Sequence, residues 1–211
     1  MGIRAKTGQH RCSICRLHRP LCVCADLPLL DLQTKIHIVM HTRESYKTTN
    51  TGLLALKCLK NSALTLYGGQ TSDRLDMTQF TSDKTALLFP GPGAQHLSAE
   101  FETIIVPDGN WRQAAKVARR IQQETGCAMV CLPAGEPSRY RLRVPPKPEM
   151  VCTFESISRA LGELHGPDVR TQLDEVFFVV ADRLSWVKGR LPDGQVFGGI
   201  PAGVTRANLI H

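Results

Sequence analysis

Five short runs of aliphatic residues, with polar or helical segments between them, constrain the fold of this 211-residue chain more than any other feature. Each run has four to six residues, a length typical of a buried strand and too short for a buried helix. The predicted strands are Lys35–Met40, Ala63–Gly68, Ala86–Phe89, Thr103–Val106 and Ala128–Leu132. Short strands that alternate with helices are typical of an α/β domain with one sizeable core.

Four helices are predicted around these strands. The first follows a threonine cap and presents leucines on one face. The cap is Thr49 or Thr51, and the leucines are Leu53, Leu56 and Leu59. The second runs from about Asn110 to Thr125 and ends at Gly126, because glycine readily adopts the left-handed conformation that closes a helix. The third begins at Thr153, and the fourth spans much of residues 168–188.

The charge balance favours a polyanionic partner. The chain has 26 Lys and Arg residues against 19 Asp and Glu, which gives a net charge of +7 and a pI near 9.1. This balance fits nucleic acid binding, and an ordinary basic enzyme fits it too. The longest apolar stretch, Glu175–Ala181, is far below the ~18 residues of a membrane span, and residues 1–12 have no signal-peptide core. We therefore expect a cytoplasmic protein without a membrane span.

Three units are predicted along the chain. Residues 1–28 form a basic element whose first acidic residue is Asp26; its cations are Arg4, Lys6, Arg11, Arg16 and Arg19. Residues 29–190 form the α/β domain. Residues 191–211 are rich in glycine and have no periodicity, which indicates a loop or a loosely attached end.

Four of the eight cysteines lie within thirteen residues of the basic element. Cys12, Cys15, Cys22 and Cys24 have spacing that lets four thiolates surround one tetrahedral Zn²⁺. With four protein ligands such a metal is structural, because no position stays open for an activated water. The alternative is a cluster of unligated thiols. The other cysteines, Cys58, Cys127, Cys131 and Cys152, are expected to be buried small hydrophobes.

Several groups of cations are candidates for phosphate contact, with plain solvation as the alternative. Around the cysteines these are Arg11, Arg16, His18 and Arg19. Arg112, Lys116 and Arg119 share one face of the second helix, and Arg139 and Arg141 flank Tyr140 in a proline-bounded loop suited to base stacking. We also assign Arg43 and Lys47 to RNA contact, while His41 and Glu44 are expected to be hydrogen-bonded groups near the site.

The segment from Val106 to Arg120 passes from a strand through a tight turn into a helix, which places Asp108 at the sheet edge where α/β proteins bind ligands. Asp108 is a candidate general base. It also precedes a helix, so a capping role with a lowered pKa is the alternative. A base would need a raised pKa, which burial or an apolar wall such as Trp111 would provide.

Six motifs taken in order resemble the DTW-domain family over about residues 10–188. They are the cysteine cluster, HTRESYKTTNTGLLAL (41–56), LLFPG (87–91), VPDGNWRQA (106–114), YRLR (140–143) and TFESISRAL (153–161). One position departs from the family pattern, since Asn110 stands where the Asp-x-Thr-Trp element has Thr. Bacterial members similar to this chain are tRNA-uridine aminocarboxypropyltransferases.

The resemblance implies a SPOUT-like sheet flanked by helices, with a C-terminal knotted region that holds S-adenosylmethionine, beside the N-terminal zinc knuckle. Residues 29–190 would be the catalytic domain, and the reaction would transfer a 3-amino-3-carboxypropyl group to N3 of a tRNA uridine, with position 47 favoured. No protein partner is implied.

By the same resemblance, three loops build the cofactor pocket, and Asp108 and Trp111 are the catalytic pair. The expected pocket residues are Phe89, Pro90, Gly91, Pro107, Asp108, Gly109, Asn110, Ser138, Tyr140, Leu142, Arg143 and Thr153. Arg43 or Arg143 would hold the cofactor carboxylate.

Two other functions fit the composition. A SPOUT-type RNA methyltransferase would use the same cofactor and release S-adenosylhomocysteine in place of methylthioadenosine. A non-catalytic zinc-knuckle RNA-binding module would explain the charge and the cysteines, but it would not use an Asp-Gly-Asn-Trp turn at a sheet edge.

Overall fold

The computed structural model describes residues 10–69, 75–143, 145, 147 and 150–209. These residues form a six-stranded sheet in which all neighbouring strands are parallel, in the order β2-β1-β5-β3-β6-β4. The strands are β1 (Lys35–His41), β2 (Ser62–Tyr67), β3 (Thr85–Leu88), β4 (Gln95–His96), β5 (Thr103–Asp108) and β6 (Ala128–Cys131). The fold is therefore α/β, as predicted.

Helices cover both faces of the sheet. They are α1 (Thr42–Ser45), α2 (Gly52–Cys58), α3 (Trp111–Thr125), α4 (Thr153–His165) and α5 (Pro167–Val187). One face packs against α2, α4 and α5, and the other against α3 and the turn around Phe80. On β1, Ile36 and Ile38 belong to the first core and Val39 to the second, because successive side chains of a strand point to opposite faces.

All five predicted strands are present, and each strand end lies within two residues of its predicted position. The sixth strand, Gln95–His96, was not expected, because it is only two residues long and both are exposed and polar. Helix α3 begins and ends where it was predicted, with Gly126 in the left-handed conformation at φ 67°. Its buried side chains are Ala114, Val117, Ala118 and Ile121.

The predicted leucine face of the first helix is confirmed in part. Leu59, at the end of α2, is buried, and Leu53 and Leu56 are half-buried against the same core. The most buried side chains of α2 itself, Leu54, Ala55 and Cys58, were not expected. A helix of seven residues with apolar side chains on several sides leaves its orientation to tertiary contacts, and these bring α2 against α4.

The C-terminal tail is irregular, as expected, but it is not loosely attached. Leu191, Val196 and Leu209 are buried, and the Trp186 indole donates a hydrogen bond of 2.7 Å to Asp193 Oδ1. The backbone N–H of Phe197 donates to Asp182 Oδ2 of α5 at 3.0 Å. Within the described part of the chain, no helix combines the length and the apolar character that crossing a membrane requires.

The basic N-terminal element packs on the same core as the sheet. Cys15, Leu17, Leu21 and Val23 are at most 5% exposed and join the core formed by α2, α4 and α5. The guanidinium of Arg183, on α5, donates a 2.9 Å hydrogen bond to the carbonyl of Leu21. The cysteine cluster is thus held against the last helix.

We predict that Leu21→Ala lowers the free energy of unfolding of the whole chain by about 2–5 kcal/mol, because it opens a space in a shared core. Ile14, in the same element, is 40% exposed, so Ile14→Ala is the matched control and should change the value by less than about 0.5 kcal/mol. Urea unfolding of both variants measures this. Equal, small effects would mean that the element is not part of the core.

Candidate functional site

A cavity of about 730 Å³ opens at the carboxyl end of the parallel sheet. Its walls come from the segments that follow β3, β5 and β6, together with residues before α2 and the segment from Ser138 to Thr153. Ligands of open α/β folds bind at this edge, and the volume is in the usual range for a small-molecule site. We take it as the candidate active site.

Most of the residues expected to form a cofactor pocket line this cavity. Those that do are Phe89, Pro90, Gly91, Pro107, Gly109, Asn110, Trp111, Ser138, Tyr140, Arg143 and Thr153. Asp108 and Leu142 are not among the lining residues. Leu142 packs against the main core, and Asp108 is only 2% exposed.

Further lining residues were not expected from the sequence. The last residue of β6, Cys131, and the segment after it, Leu132, Pro133 and Ala134, contribute to the wall. The predicted strand Ala128–Leu132 could have indicated this segment, because parallel strands end at the same sheet edge. Cys131 and Cys152 both line the cavity and are half-buried, so the expectation that the isolated cysteines are buried hydrophobes was wrong for these two and holds for Cys58 and Cys127.

The carboxylate of Asp108 lies behind the cavity wall and accepts two short hydrogen bonds. Asn50 Nδ2 donates to Oδ2 at 2.6 Å, and Thr153 Oγ1 donates to Oδ1 at 2.7 Å. Thr153 is the first residue of α4 and itself lines the cavity. One hydroxyl therefore connects the buried carboxylate with the open space.

Asn50 suits its position because it acts through both ends of its amide. Its Oδ1 accepts the backbone N–H of Leu53 at 2.9 Å, so Asn50 caps α2 with its side chain in place of the predicted Thr49 or Thr51. This leaves Nδ2 for Asp108. An aspartate here could cap the helix, but it would place a second anion against Asp108. The sequence offers no direct signal for this pairing, since the two residues are 58 positions apart.

Burial raises the pKa of Asp108 above its ordinary value, although the hydrogen bonds from Asn50 and Thr153 oppose the shift. The alternative of a capping aspartate with a lowered pKa was wrong. The cap of α3 is Asn110, whose Oδ1 accepts the N–H of Gln113 at 3.0 Å while Gln113 Oε1 accepts the N–H of Asn110 at 2.9 Å. Asn and Thr are both good caps, so the departure from the family pattern at this position keeps the capping function.

A second buried carboxylate, Glu155, holds residues 138–143, the cavity loop, in place. It is 4% exposed and accepts the backbone N–H of Arg139 at 2.7 Å and the Ser138 hydroxyl at 2.6 Å. The same side chain caps α4 by accepting the N–H of Cys152 at 3.0 Å. The Tyr140 hydroxyl adds a 2.8 Å bond to the carbonyl of Thr49. These contacts fix the loop against the starts of α2 and α4.

A third buried carboxylate, Glu44, binds two cations of the cavity wall. Arg143 Nη2 donates to Oε2 at 2.8 Å and Lys47 Nζ donates to Oε1 at 2.5 Å. Burial alone would raise the pKa of Glu44, but the bonds to Lys47 and Arg143 outweigh it and hold the pKa below its ordinary value. Glu44 was expected to be a hydrogen-bonded group near the site, and its geometry agrees with that.

The cavity wall is cationic. Lys47, Arg143, Lys147 and Arg159 line it, and no carboxylate does so among the described residues. The acids stand behind the wall, where Asp108, Glu44 and Glu155 are each at most 4% exposed. The remaining lining is largely apolar, with Leu88, Phe89, Trp111 and Leu132 among its members. Such a wall suits a ligand with a flat apolar part and an anionic group.

The cations expected to meet RNA fall into two classes. The exposed ones are Arg19, Arg43, Lys47, Arg112, Lys116, Arg119 and Arg141. Arg11 and Arg16 are half-buried. The Arg11 guanidinium donates to the backbone carbonyl of Arg16 at 3.1 Å, and the Arg16 guanidinium donates to the backbone carbonyl of Ser45 at 3.4 Å. Arg139 is engaged within the protein, because its guanidinium donates to Asp182 at 3.1 Å and lies 4.1 Å from the ring centre of Phe178.

The four clustered cysteines have the geometry of a metal site. The Sγ atoms of Cys12, Cys15, Cys22 and Cys24 all lie within 4.8 Å of one another. Four thiolates around Zn²⁺ are about 3.8 Å apart, given a tetrahedral Zn–S distance of about 2.3 Å. The donor set therefore fits structural zinc, which would hold together a loop that has little regular structure of its own.

We predict that Gly52→Ala lowers the free energy of unfolding by about 1–3 kcal/mol, because a Cβ here would lie 2.8 Å from Asp108 Oδ2. Gly194→Ala is the matched control, since nothing lies within 4 Å of a Cβ at that position. Chemical unfolding of the two variants is the measurement. A Gly52→Ala variant as stable as the control would contradict the tight packing around Asp108.

A double replacement of Cys12 and Cys15 by Ser should abolish stoichiometric zinc, because two ligands cannot retain the ion tightly. Elemental analysis of the purified protein gives the metal content. Cys131→Ser removes a thiol outside the cluster and should leave the zinc content unchanged. Full zinc in the double variant would show that these cysteines are not the ligands.

Comparison with known proteins agrees with the motifs. The DTW domain matches residues 9–185. The chain is similar to proteins named tRNA-uridine aminocarboxypropyltransferase 2 from Macaca fascicularis and Mus musculus, with 29% identity over 167 residues, which is 72% of this chain and 56% of each relative. It thus spans about half the length of the curated relatives it matches. No solved structure matches the chain. Because the domain covers most of its length, the chain belongs to the DTW-domain family.

Proposed function

We propose that this chain is a tRNA-uridine aminocarboxypropyltransferase, which transfers the 3-amino-3-carboxypropyl group of S-adenosylmethionine to N3 of a uridine. The observation that carries the proposal is the cavity at the sheet edge, where the Thr153 hydroxyl joins a buried carboxylate, Asp108, to the open space. The similar mammalian proteins are named for aminocarboxypropyl transfer to a tRNA uridine, which supports the proposal.

The cavity residues fit the proposed donor. Flat apolar side chains such as Phe89 and Trp111 suit the adenine ring, and the cations Arg143 and Lys47 suit the carboxylate of the methionine part. When bound, S-adenosylmethionine supplies an electrophilic carbon next to its sulfonium and leaves as methylthioadenosine. The protein's task is to orient that carbon toward the uridine and to remove the proton from N3.

We assign the removal of this proton to Asp108, acting through Thr153. Uridine N3 carries a proton that must leave as the N–C bond forms, while the C–S bond breaks and its electron pair stays with sulfur. Thr153 Oγ1 donates to Asp108 Oδ1 at 2.7 Å, so it can pass its proton to the carboxylate as it accepts the one from N3. Because burial raises the pKa of Asp108, the carboxylate is a better proton acceptor than an exposed aspartate.

The exposed cations support tRNA as the substrate. Arg112, Lys116 and Arg119 are exposed on α3, which begins at the cavity. Lys47 lines the cavity, and Arg43 is exposed four residues before it. Cations placed in this way can bind phosphates next to the reacting base. We also propose that the modified uridine is at tRNA position 47 and that the C-terminal region has a SPOUT-like knot. In the same proposal residues 29–190 are the catalytic domain, between the basic element 1–28 and the tail 191–211.

The deciding experiment incubates the purified protein with unmodified tRNA and S-adenosylmethionine and identifies both products by mass spectrometry. Aminocarboxypropyluridine together with methylthioadenosine is the expected result. A methylated nucleoside with S-adenosylhomocysteine would make the protein a methyltransferase, and RNA binding without either product would make it a binding module.

We predict that Asp108→Asn and Thr153→Val each lower turnover by about 10²–10⁴-fold and leave S-adenosylmethionine binding within about threefold of the parent, because both interrupt proton transfer. Thr153→Ser keeps the hydroxyl and is the matched control. Single-turnover rates and calorimetric titration are the measurements. A Thr153→Val variant with normal turnover would exclude the hydroxyl from the proton path.

The pH dependence of turnover follows from the same assignment. The base works in its ionised form, and its pKa is raised, so turnover should fall as the pH drops through that raised pKa rather than near the ordinary value for aspartate. The single-turnover rate of the parent protein between about pH 4 and 9 gives this profile. A rate that stays constant down to the ordinary range of an aspartate would contradict a buried base.

A further inference from the structure

We propose that Glu44 is a positioning residue that presents Arg143 and Lys47 as a preformed oxyanion subsite on the cavity wall. The subsite takes a carboxylate or a phosphate group. The proposal rests on the proposed function for the identity of the ligands, and its own basis is the arrangement of these three side chains.

The carboxylate of Glu44 is buried, which is unfavourable for a charged group. Glu44 lies in the single turn α1 that follows β1, and its side chain is 1% exposed. A buried carboxylate is costly unless it is fully paired, and here each oxygen receives a cation, Lys47 Nζ at 2.5 Å and Arg143 Nη2 at 2.8 Å. The two cations are 96 positions apart in sequence, so Glu44 joins two separate segments of the wall.

The cations keep capacity for a ligand. The side chains of Arg143 and Lys47 are 34% and 47% exposed, and both residues line the cavity. The Arg143 guanidinium has five N–H donors, and both of its contacts here, with Glu44 Oε2 at 2.8 Å and with Thr49 Oγ1 at 3.5 Å, use Nη2. The donors on Nη1 and Nε can therefore bind a ligand. One anion against two cations leaves the cluster with one net positive charge. A planar oxyanion that reaches the guanidinium is therefore attracted and oriented.

Without Glu44 the two cations would repel each other, and Lys47, which is close to solvent, would turn away. The anionic ligand would then have to gather and order both side chains on binding, which lowers its affinity. Neutralising Glu44 also increases the positive charge of the wall. We expect the loss of order to outweigh this gain, because the long side chains of arginine and lysine each lose several rotatable bonds on binding.

The test compares two thioethers that share one nucleoside. S-adenosylhomocysteine carries the amino-carboxypropyl group, and methylthioadenosine has a methyl group in its place. Calorimetric titration of the parent and of Glu44→Gln should show affinity for S-adenosylhomocysteine lowered by about tenfold and affinity for methylthioadenosine changed by less than about twofold. Glu163→Gln, at an exposed position on α4, is the matched control and should change neither.

A second set of variants separates positioning from folding if Glu44→Gln weakens the fold. In a background of Lys47→Met with Arg143→Met, the addition of Glu44→Gln should not change the affinity ratio of the two thioethers further, because the groups it positions are gone. Thermal unfolding of each variant shows how much native protein is present. A further loss of discrimination in that background would overturn the positioning role.

Filter binding of unmodified tRNA to the same variants identifies the source of the anion. A loss confined to S-adenosylhomocysteine supports a carboxylate ligand, and a loss confined to tRNA supports an RNA phosphate at the same subsite.

Equal losses for both thioethers would mean that Glu44 only supports the structure, and no loss for any ligand would overturn the subsite as well. If the parent binds neither thioether, the proposed function fails, while the tRNA titration still tests the subsite.

Discussion

The pairing of Asp108 with Asn50 and Thr153 is the interaction on which the rest of the site depends. It joins the end of the central strand β5 to the residue that caps α2 and to the first residue of α4. A carboxylate can be buried here only because two donors satisfy it, and those donors fix where the two helices begin. The shape of the cavity follows, since its walls are the segments next to these three residues.

The same arrangement recurs around the cavity. Asp108, Glu44 and Glu155 all lie behind the wall, and each holds segments that are distant in sequence. Glu44 pairs with Lys47 and Arg143, which remain in front of it, so the surface that a ligand meets is positive although three acids lie behind it. Buried acids thus provide both the rigidity of the loops and the electrostatic character of the open space.

The sequence predicted well what depends on local pattern. Strands, the helix from Trp111, its glycine stop and most of the loops around the cavity follow from periodicity, capping residues and the family motifs. It could not predict the direction of Asp108, because that depends on which face of β5 the residue occupies and on partners 45 and 58 positions away. The stacking of Arg139 on Phe178 and the burial of Leu54 and Cys58 on α2 were missed for the same reason, since both are decided by tertiary contacts.

Asp182 has two attachments that belong to different parts of the molecule. One oxygen, Oδ2, accepts a bond from Arg139 in the cavity loop and another from the backbone of Phe197 in the tail. A displacement of the tail is therefore transmitted to the cavity loop through Asp182 Oδ2, the acceptor that both segments share. A substitution in the tail that moves Phe197 would also disturb Arg139, the neighbour of the cavity residues Ser138 and Tyr140.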